Sequence, residues 1–174
     1  MFLSLPGHLF HPYRRLFLIS SGFLQYTAYE IHLQMTKFPL VSYPDRVGEY
    51  PALVKSGGGY VWDELLEYRV WCHPEDGAAD VCEGDDYYHA FATYEEALEY
   101  SQSNPGCEEP LALVLQREYI DEPETGVYIH IKEERFTEWP VEFLSRPRRT
   151  DRTIPDFLSS DAPENRLDII RGLV

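Results

Sequence analysis

Residues 93–96 (TYEE) constrain the fold most, because they form a capping box, a signal that starts a helix. The Thr93 hydroxyl can accept a hydrogen bond from the N–H of Glu96, whose side chain can reach back to the N–H of residue 93. Apolar side chains follow at helical spacing, and residues 104–106 (NPG) end the helix. The sequence therefore predicts a helix between these two signals.

Strand patterns precede the predicted helix. Two sets of side chains alternate over residues 66–73, which is the period of a strand with two distinct faces. One set is Leu66, Tyr68, Val70 and Cys72, and the other is Glu67, Arg69, Trp71 and His73. We expect the second set to form a solvated face. An acidic loop over residues 73–86 then leads to a short strand over residues 87–92.

Further strands are predicted after the helix. The apolar run at residues 111–120 is typical of a central strand, since both of its faces are hydrophobic at its start. Residues 121–126 are acidic and contain a proline, so they predict a turn, and residues 127–136 predict a returning strand. Val141 and Phe143 suggest a short edge strand after a proline, which an edge tolerates.

The C-terminal region predicts a second helix. Residues 161–164 (DAPE) supply an N-cap, an early proline and an acidic group, Leu167 and Ile170 share a face, and Gly172 ends the helix. The order of elements predicts an α+β fold, with an antiparallel or mixed sheet of about four to five strands and helices packed on one side.

The first 34 residues differ in composition from the rest. They contain one acidic and two basic residues, whereas residues 35–174 contain 29 acidic and 13 basic residues, a net charge of −16. Two interpretations are open. In the interpretation that we prefer, the start codon has been assigned too early and the true start is Met35. In the second interpretation, these residues are a signal-like segment, whose apolar run is too short to span a bilayer. We expect residues 35–174 to form a single acidic domain.

The net charge of −15 narrows the classes of partner. A surface of that sign repels phosphate backbones and anionic lipids, so we expect neither a nucleic-acid partner nor a membrane partner. A protein partner with a basic surface stays open.

The cysteines are odd in number and lie far apart in sequence. Cys72, Cys82 and Cys107 form no pair of closely spaced metal ligands, so we expect no metal site. We expect reduced thiols in a cytoplasmic protein.

Two segments are candidates for binding anions. Arg146, Arg148, Arg149 and Arg152 concentrate positive charge, and two roles are open: a clamp on the chain's own acids, which we favour, or an anion- or partner-binding site. Residues 56–59 (SGGG) precede a strand and not a helix, so they predict a flexible turn in preference to a phosphate cradle.

Several stretches resemble a family of small bacterial proteins labelled GCN5-related (GNAT) acetyltransferases. The similar stretches are residues 61–74 (VWDELLEYRVWCHP), 94–98 (YEEAL), 115–123 (LQREYIDEP), 138–144 (EWPVEFL) and 146–149 (RPRR). Together they span about residues 40 to 158. The resemblance implies transfer of an acetyl group from acetyl-CoA, and it brings no mapped catalytic site.

The chain departs from the pattern of that superfamily in the cofactor loop. The family holds the pyrophosphate of acetyl-CoA on an R/Q-x-x-G-x-G/A loop between a central strand and a helix, and no such sequence occurs here. If the chain is catalytic, Glu67 as base and Tyr119 as acid are the candidates. We favour a non-catalytic binding or accessory module that has no cofactor and acts through a face rich in tyrosine and tryptophan. The alternative is an acetyltransferase with a divergent acetyl-CoA site, and an antitoxin-like regulatory role is a third possibility.

Overall fold

A computed structural model describes residues 36–52, 54, 60–171 and 173. The N-terminal segment 1–34, the glycine run 56–59 and Gly172 lie outside these residues, and so do the predictions made for them. Within the described part of the chain, no helix is long and apolar enough to cross a membrane.

The described residues contain six strands in two antiparallel sheets. The bounds are β1 Glu64–Cys72, β2 Tyr87–Phe91, β3 Leu111–Gln116, β4 Tyr119–Glu124, β5 Val127–Ile131 and β6 Arg135–Pro140. The larger sheet has the order β2-β1-β3-β6, and β4 pairs with β5 alone.

In the described part of the chain, three short α-helices and three 3₁₀ turns accompany the strands. The helices are α1 Tyr94–Ser103, α2 Thr153–Leu158 and α3 Arg166–Ile170, and the turns are Pro44–Arg46, Pro74–Asp76 and Val141–Ser145. Helix α1 contacts β1 and β2, and α2 contacts α3. The predicted α+β class, with an antiparallel sheet of four strands, is confirmed.

Helix α1 begins and ends where the sequence predicts. The N–H of Glu96 donates to Thr93 Oγ1 at 3.2 Å, which is the first half of the capping box. After the helix, Gly106 has a φ of +72°, and a Cβ there would lie 2.9 Å from the His73 carbonyl oxygen. Only glycine fits this close approach, so the chain turns sharply from α1 toward β3.

Strand β1 contains a β-bulge between Leu65 and Glu67 that changes which side chains share a face. Leu65 packs with Tyr68 in the core that includes Ala97 of α1, whereas Leu66 packs with Leu113 in another cluster. The expectation that Leu66 lies on the face of Tyr68 is wrong, because the extra residue of the bulge reverses the alternation.

The second face of the larger sheet is covered by residues 43–52 and 54. Tyr50 and Val54 from this segment pack on the cluster that contains Leu66. The side chains of Glu67 and Arg69 are 0% exposed. The predicted solvated face is therefore wrong for these two residues, because chain that is distant in sequence lies over them.

Strand β3 is central, as predicted, but the chain leaves the larger sheet at residue 117. The N–H of Arg117 donates to Asp63 Oδ2 at 2.7 Å, and β4 then pairs with β5. The predicted turn at residues 121–126 is wrong over most of its length, since β4 extends through Pro123 and the turn is confined to residues 125–126. A proline is tolerated there because β4 pairs with a strand on one side alone.

The predicted edge strand at Val141 and Phe143 is wrong. These residues belong to the 3₁₀ turn Val141–Ser145, and β6 is the edge strand. Val141 and Leu144 are both buried, and their spacing of three residues is the period of a 3₁₀ helix. The predicted strand over residues 127–136 also divides, into β5 and the start of β6.

The C-terminal region has two helices where the sequence predicts one. Helix α3 begins at Arg166, later than predicted, and Asn165 precedes it without a side-chain capping bond. Helix α2 was not predicted. Ile154 and Phe157 of α2 pack with Ile170 of α3 on the β4–β5 hairpin, so this region has its own hydrophobic core.

Candidate binding surfaces

Glu67, the candidate base, lies in a buried ion network on β1. Arg69 Nε donates to Glu67 Oε1 at 2.7 Å, and Arg69 Nη1 donates to Glu138 Oε1 at 2.9 Å. The N–H of Gly48 donates to Glu67 Oε2 at 2.7 Å. Both carboxylate oxygens of Glu67 therefore accept hydrogen bonds, and they help to hold the segment that covers the sheet.

Tyr119, the candidate acid, lies at the start of β4 in the smaller sheet. The guanidinium carbon of Arg135 lies 3.4 Å from the centroid of its ring. Tyr119 also packs against the core formed by α2 and α3. The structure does not bring Tyr119 and Glu67 together: they belong to different sheets, and no hydrogen bond or ring contact joins them among the described residues.

Arg149 is the most buried member of the arginine cluster, with a side chain that is 9% exposed. Its Nε donates to Asp63 Oδ1 at 2.9 Å, and its Nη1 contacts Glu118. His130 Nε2 lies 2.8 Å from the second oxygen of Glu118. Arg149 thereby links the end of β3 to the segment that precedes α2.

The other three arginines of the cluster have different surroundings. Arg148 Nη2 donates to Glu64 Oε2 at 2.9 Å, and Arg152 Nη2 donates to Asp156 Oδ1 at 2.9 Å. Arg146 lies over the Phe143 ring, 3.8 Å from its centroid, and forms no ion pair with the described residues. Three of the four predicted arginines thus pair with acids of the same chain.

Negative charge is concentrated around β2. Residues 70–116 contain eleven acidic residues and no Lys or Arg, and ten of the eleven are exposed. We call this region the acidic surface: Glu75, Asp76, Asp80, Glu83, Asp85, Asp86, Glu95, Glu96, Glu99, Glu108 and Glu109. Among the described residues, no group of three His, Cys, Asp or Glu side chains is placed to hold a metal ion. The acids instead flank β2, and no other strand in the described part of the chain pairs with its second edge.

A pocket of about 460 Å³ lies between β2 and α1 within the acidic surface, and we call it the aromatic–acidic pocket. Its lining residues are Phe91, Glu96, Glu99, Tyr100, Ser103 and Asn104. The rings of Phe91 and Tyr100 lie 5.3 Å apart. The carboxylates of Glu96 and Glu99 form no ion pair with other described residues. Aromatic faces beside unpaired carboxylates are suited to a cationic group.

Sequence reasoning did not identify this pocket, although part of its signal is local. Glu96, Tyr100 and Ser103 are spaced as neighbours on one helical face. Phe91 comes from β2, so its place beside Tyr100 depends on the packing of α1 on the sheet.

His73 ties the acidic loop to the start of β3. Its Nδ1 lies 2.9 Å from Asp86 Oδ1, and its Nε2 lies 3.1 Å from Glu108 Oε1. The hydrogen bond to Asp86, more than the nearby charge of Asp86 and Glu108, raises the pKa of His73 above its usual value. When it is protonated, the imidazole carries a positive charge between two carboxylates that would otherwise repel each other.

This arrangement predicts a pH dependence of stability at near-neutral pH. Because the pKa of His73 is raised in the folded state, its contribution to stability is complete below the unfolded pKa of about 6.5 and is lost as the pH rises through the folded pKa. We expect the urea midpoint to fall between about pH 6 and pH 8.5, and His73→Gln to flatten the fall. Urea midpoints of the wild-type protein and His73→Gln, measured at a series of pH values across this range, test the prediction.

His89→Gln is the matched control, because His89 is an exposed histidine with no carboxylate partner among the described residues. We expect this variant to keep the wild-type slope. Identical slopes for the wild-type protein and His73→Gln would contradict the role of His73.

The cysteines correct the expectation of reduced thiols. Cys72 at the end of β1 and Cys107 before β3 form a disulfide, with their Cα atoms 4.1 Å apart, and Cys82 is exposed with a free thiol. The expectation was wrong because it relied on spacing in the sequence. The turn at Gly106 brings Cys107 beside Cys72, where the two form an isolated β-bridge.

No protein-family model matches this chain, and no curated protein or solved structure matches it.

Proposed function

We propose that this chain is a non-catalytic binding module for a basic, extended segment of a protein partner. The segment adds as a strand to the open edge of β2 and places a Lys or Arg side chain in the aromatic–acidic pocket. The observation that carries the proposal is that two unpaired carboxylates and two aromatic rings line a pocket beside an open edge strand, in a region without Lys or Arg.

The edge of β2 supplies affinity that does not depend on the partner's side chains. Strand β2 pairs with β1 over five residues, and no strand of the described residues lies on its other side. An added strand makes main-chain hydrogen bonds there, and alternate side chains then face the protein. No residue of β2 is buried, and His89 at the middle of the strand is exposed.

The acidic surface selects the charge of the partner. Eleven carboxylates over residues 70–116 attract a cationic segment and speed its association, and they repel acidic competitors. Most of these carboxylates are exposed, so salt weakens the attraction, with a screening length of about 8 Å at physiological ionic strength.

The pocket supplies specificity for one side chain. A Lys ammonium or Arg guanidinium placed against the exposed side of the Phe91–Tyr100 ring pair gains cation–π attraction, and Glu96 and Glu99 offer charge-assisted hydrogen bonds. A neutral side chain of similar length gains neither contact.

The acetyltransferase alternative has less support. Of the four arginines that could neutralise the phosphates of acetyl-CoA, Arg148, Arg149 and Arg152 already pair with acids. The central strand β3 leads into β4 and not into a helix, so there is no strand–loop–helix after it to hold a pyrophosphate.

The test uses two synthetic octapeptides that are acetylated, amidated and labelled for fluorescence anisotropy. In one, valine alternates with lysine, and in the other each lysine is replaced by acetyl-lysine, which removes the charge and keeps the length. We expect saturable binding of the lysine peptide, weaker binding at higher salt, and about tenfold weaker binding of that peptide to Glu96→Gln/Glu99→Gln, a change of about 1.4 kcal/mol.

Glu133→Gln/Glu164→Gln is the matched control, because it removes two exposed carboxylates outside the acidic surface. We expect it to bind the lysine peptide within about twofold of wild type, since distant exposed charges are screened. Equal losses in the two double variants would show that the pocket has no role. Equal affinity for the two peptides, or no binding of the lysine peptide at millimolar concentration, would refute the proposal.

A further inference from the structure

A second cavity, of about 300 Å³, lies between the segment that precedes α2 and helices α2 and α3, and we call it the C-terminal cavity. Phe157 and Ile170 are buried and form part of its apolar lining. Pro147, Pro163 and Ile169 extend the apolar lining. A cavity of this size lies at the lower end of the range for small-molecule sites.

The charged groups of this cavity are mostly positive. Arg148, Arg152 and Arg166 line it, and Asp156 is its one carboxylate. Asp156 is occupied by Arg152 through two hydrogen bonds. In a chain with a net charge of −15, this local excess of cations beside an apolar surface is unusual and needs an explanation.

Of the three arginines that line this cavity, Arg166 is the one that has no carboxylate partner among the described residues. Its Nη1 donates to the carbonyl oxygen of Phe157 at 3.3 Å, and its guanidinium carbon lies 5.2 Å from the centroid of the Phe157 ring. These contacts hold the guanidinium against the aromatic ring that lines the cavity, and its other N–H groups stay available to an acceptor.

We infer that the C-terminal cavity binds a small carboxylate that carries an apolar chain. The carboxylate accepts a two-point hydrogen bond from Arg166, and the chain lies on Phe157 and Ile170. Guanidinium and carboxylate groups match in this paired geometry, and the apolar surface adds a hydrophobic contribution that an inorganic anion cannot obtain. This site is independent of the aromatic–acidic pocket, because it has the opposite charge and different residues.

The probe is octanoate, titrated into the full chain by calorimetry. Octan-1-ol has the chain without the charge, and inorganic phosphate has charge without the chain. We expect octanoate to bind at one site, and the other two compounds to bind at least tenfold more weakly. We expect Arg166→Gln to weaken octanoate binding at least tenfold.

Arg46→Gln is the matched control, since Arg46 is an exposed arginine that pairs with Glu49 and lies outside the cavity. It should bind octanoate as the wild-type protein does. Ile169→Glu provides a second variant that preserves the core, because Ile169 lines the cavity yet is 45% exposed. The added negative charge should abolish binding of octanoate.

Three results would overturn the inference: no binding of octanoate at millimolar concentration, equal binding of octanoate and octan-1-ol, or unchanged octanoate binding in both Arg166→Gln and Ile169→Glu. Phosphate binding as tight as that of octanoate would also overturn it, by showing an anion site in which the apolar lining has no role.

Discussion

Replacement of Arg69 by alanine is expected to lower the free energy of unfolding by about 3–5 kcal/mol. Arg69 lies between Glu67 and Glu138, and its guanidinium also donates to the carbonyl oxygens of Pro51 and Ala52. Without it, the Glu67 carboxylate, which is 0% exposed, loses its cation inside the protein. Urea unfolding of the wild-type and variant proteins measures the change.

Arg152→Ala is the control for this prediction. Arg152 pairs with Asp156 through a two-point contact of similar length, but its side chain is 83% exposed. An exposed pair of this kind contributes little to stability because solvent screens it, so this variant should unfold close to the wild-type midpoint. The contrast separates the effect of burial from the effect of losing an arginine.

A double variant tests whether the cost comes from the unpaired carboxylate. Glu67→Gln/Arg69→Met removes both charges and keeps similar volumes, so we expect it to recover much of the stability that Arg69→Ala loses. A loss below about 1 kcal/mol in Arg69→Ala would show that water or another cation reaches Glu67.

The part of the fold that was predictable depends on short-range interactions. Helix α1 begins at a cap formed within four residues and ends at an asparagine–proline–glycine stop, and both are visible in the sequence. The strand β2, which precedes the cap, and the central position of β3 followed from local pattern as well.

The wrong predictions concern residues whose surroundings depend on segments that are distant in the sequence. The alternation over residues 66–73 indicated a solvated face, but residues 43–52 and 54 cover Glu67 and Arg69. The N–H of Gly48 donates a hydrogen bond to Glu67, and the carbonyl oxygen of Pro51 accepts one from Arg69. The bulge at Leu65 is set by pairing with β3. Neither the segment that covers β1 nor the register of β1 against β3 can be derived from the sequence of β1 alone.

The candidate sites, too, were predictable only where local sequence determines them. The density of arginines at residues 146–152 was visible in the sequence, but the pairing of Arg149 with Asp63 requires the fold. Arg166 was not selected because it is isolated in the sequence, and its significance comes from the cavity that α2 and α3 enclose. Charge density in the sequence therefore did not identify Arg166, the cation of this cavity that has no carboxylate partner among the described residues.

Loss of the Cys72–Cys107 disulfide is expected to lower the free energy of unfolding by about 3–4 kcal/mol, the chain-entropy value for a closed loop of this length. The two cysteines are 35 residues apart, and the loop between them contains β2 and α1. This loop also includes most of the acidic surface, whose carboxylates repel one another. The crosslink restricts the unfolded chain and links the two ends of the loop that contains β2 in the folded state.

The measurement compares Cys72→Ser/Cys107→Ser with Cys82→Ser, which removes the exposed free thiol and should leave the urea midpoint unchanged. Alkylation of the unfolded protein should modify one cysteine before reduction and three after it. The double variant should also bind the lysine octapeptide more weakly, because the open edge of β2 loses one of its anchors. Alkylation of three cysteines without reduction, or a midpoint for the double variant equal to that of Cys82→Ser, would contradict the prediction. If the double variant is less stable and yet binds the peptide with full affinity, the disulfide stabilises the fold without positioning β2.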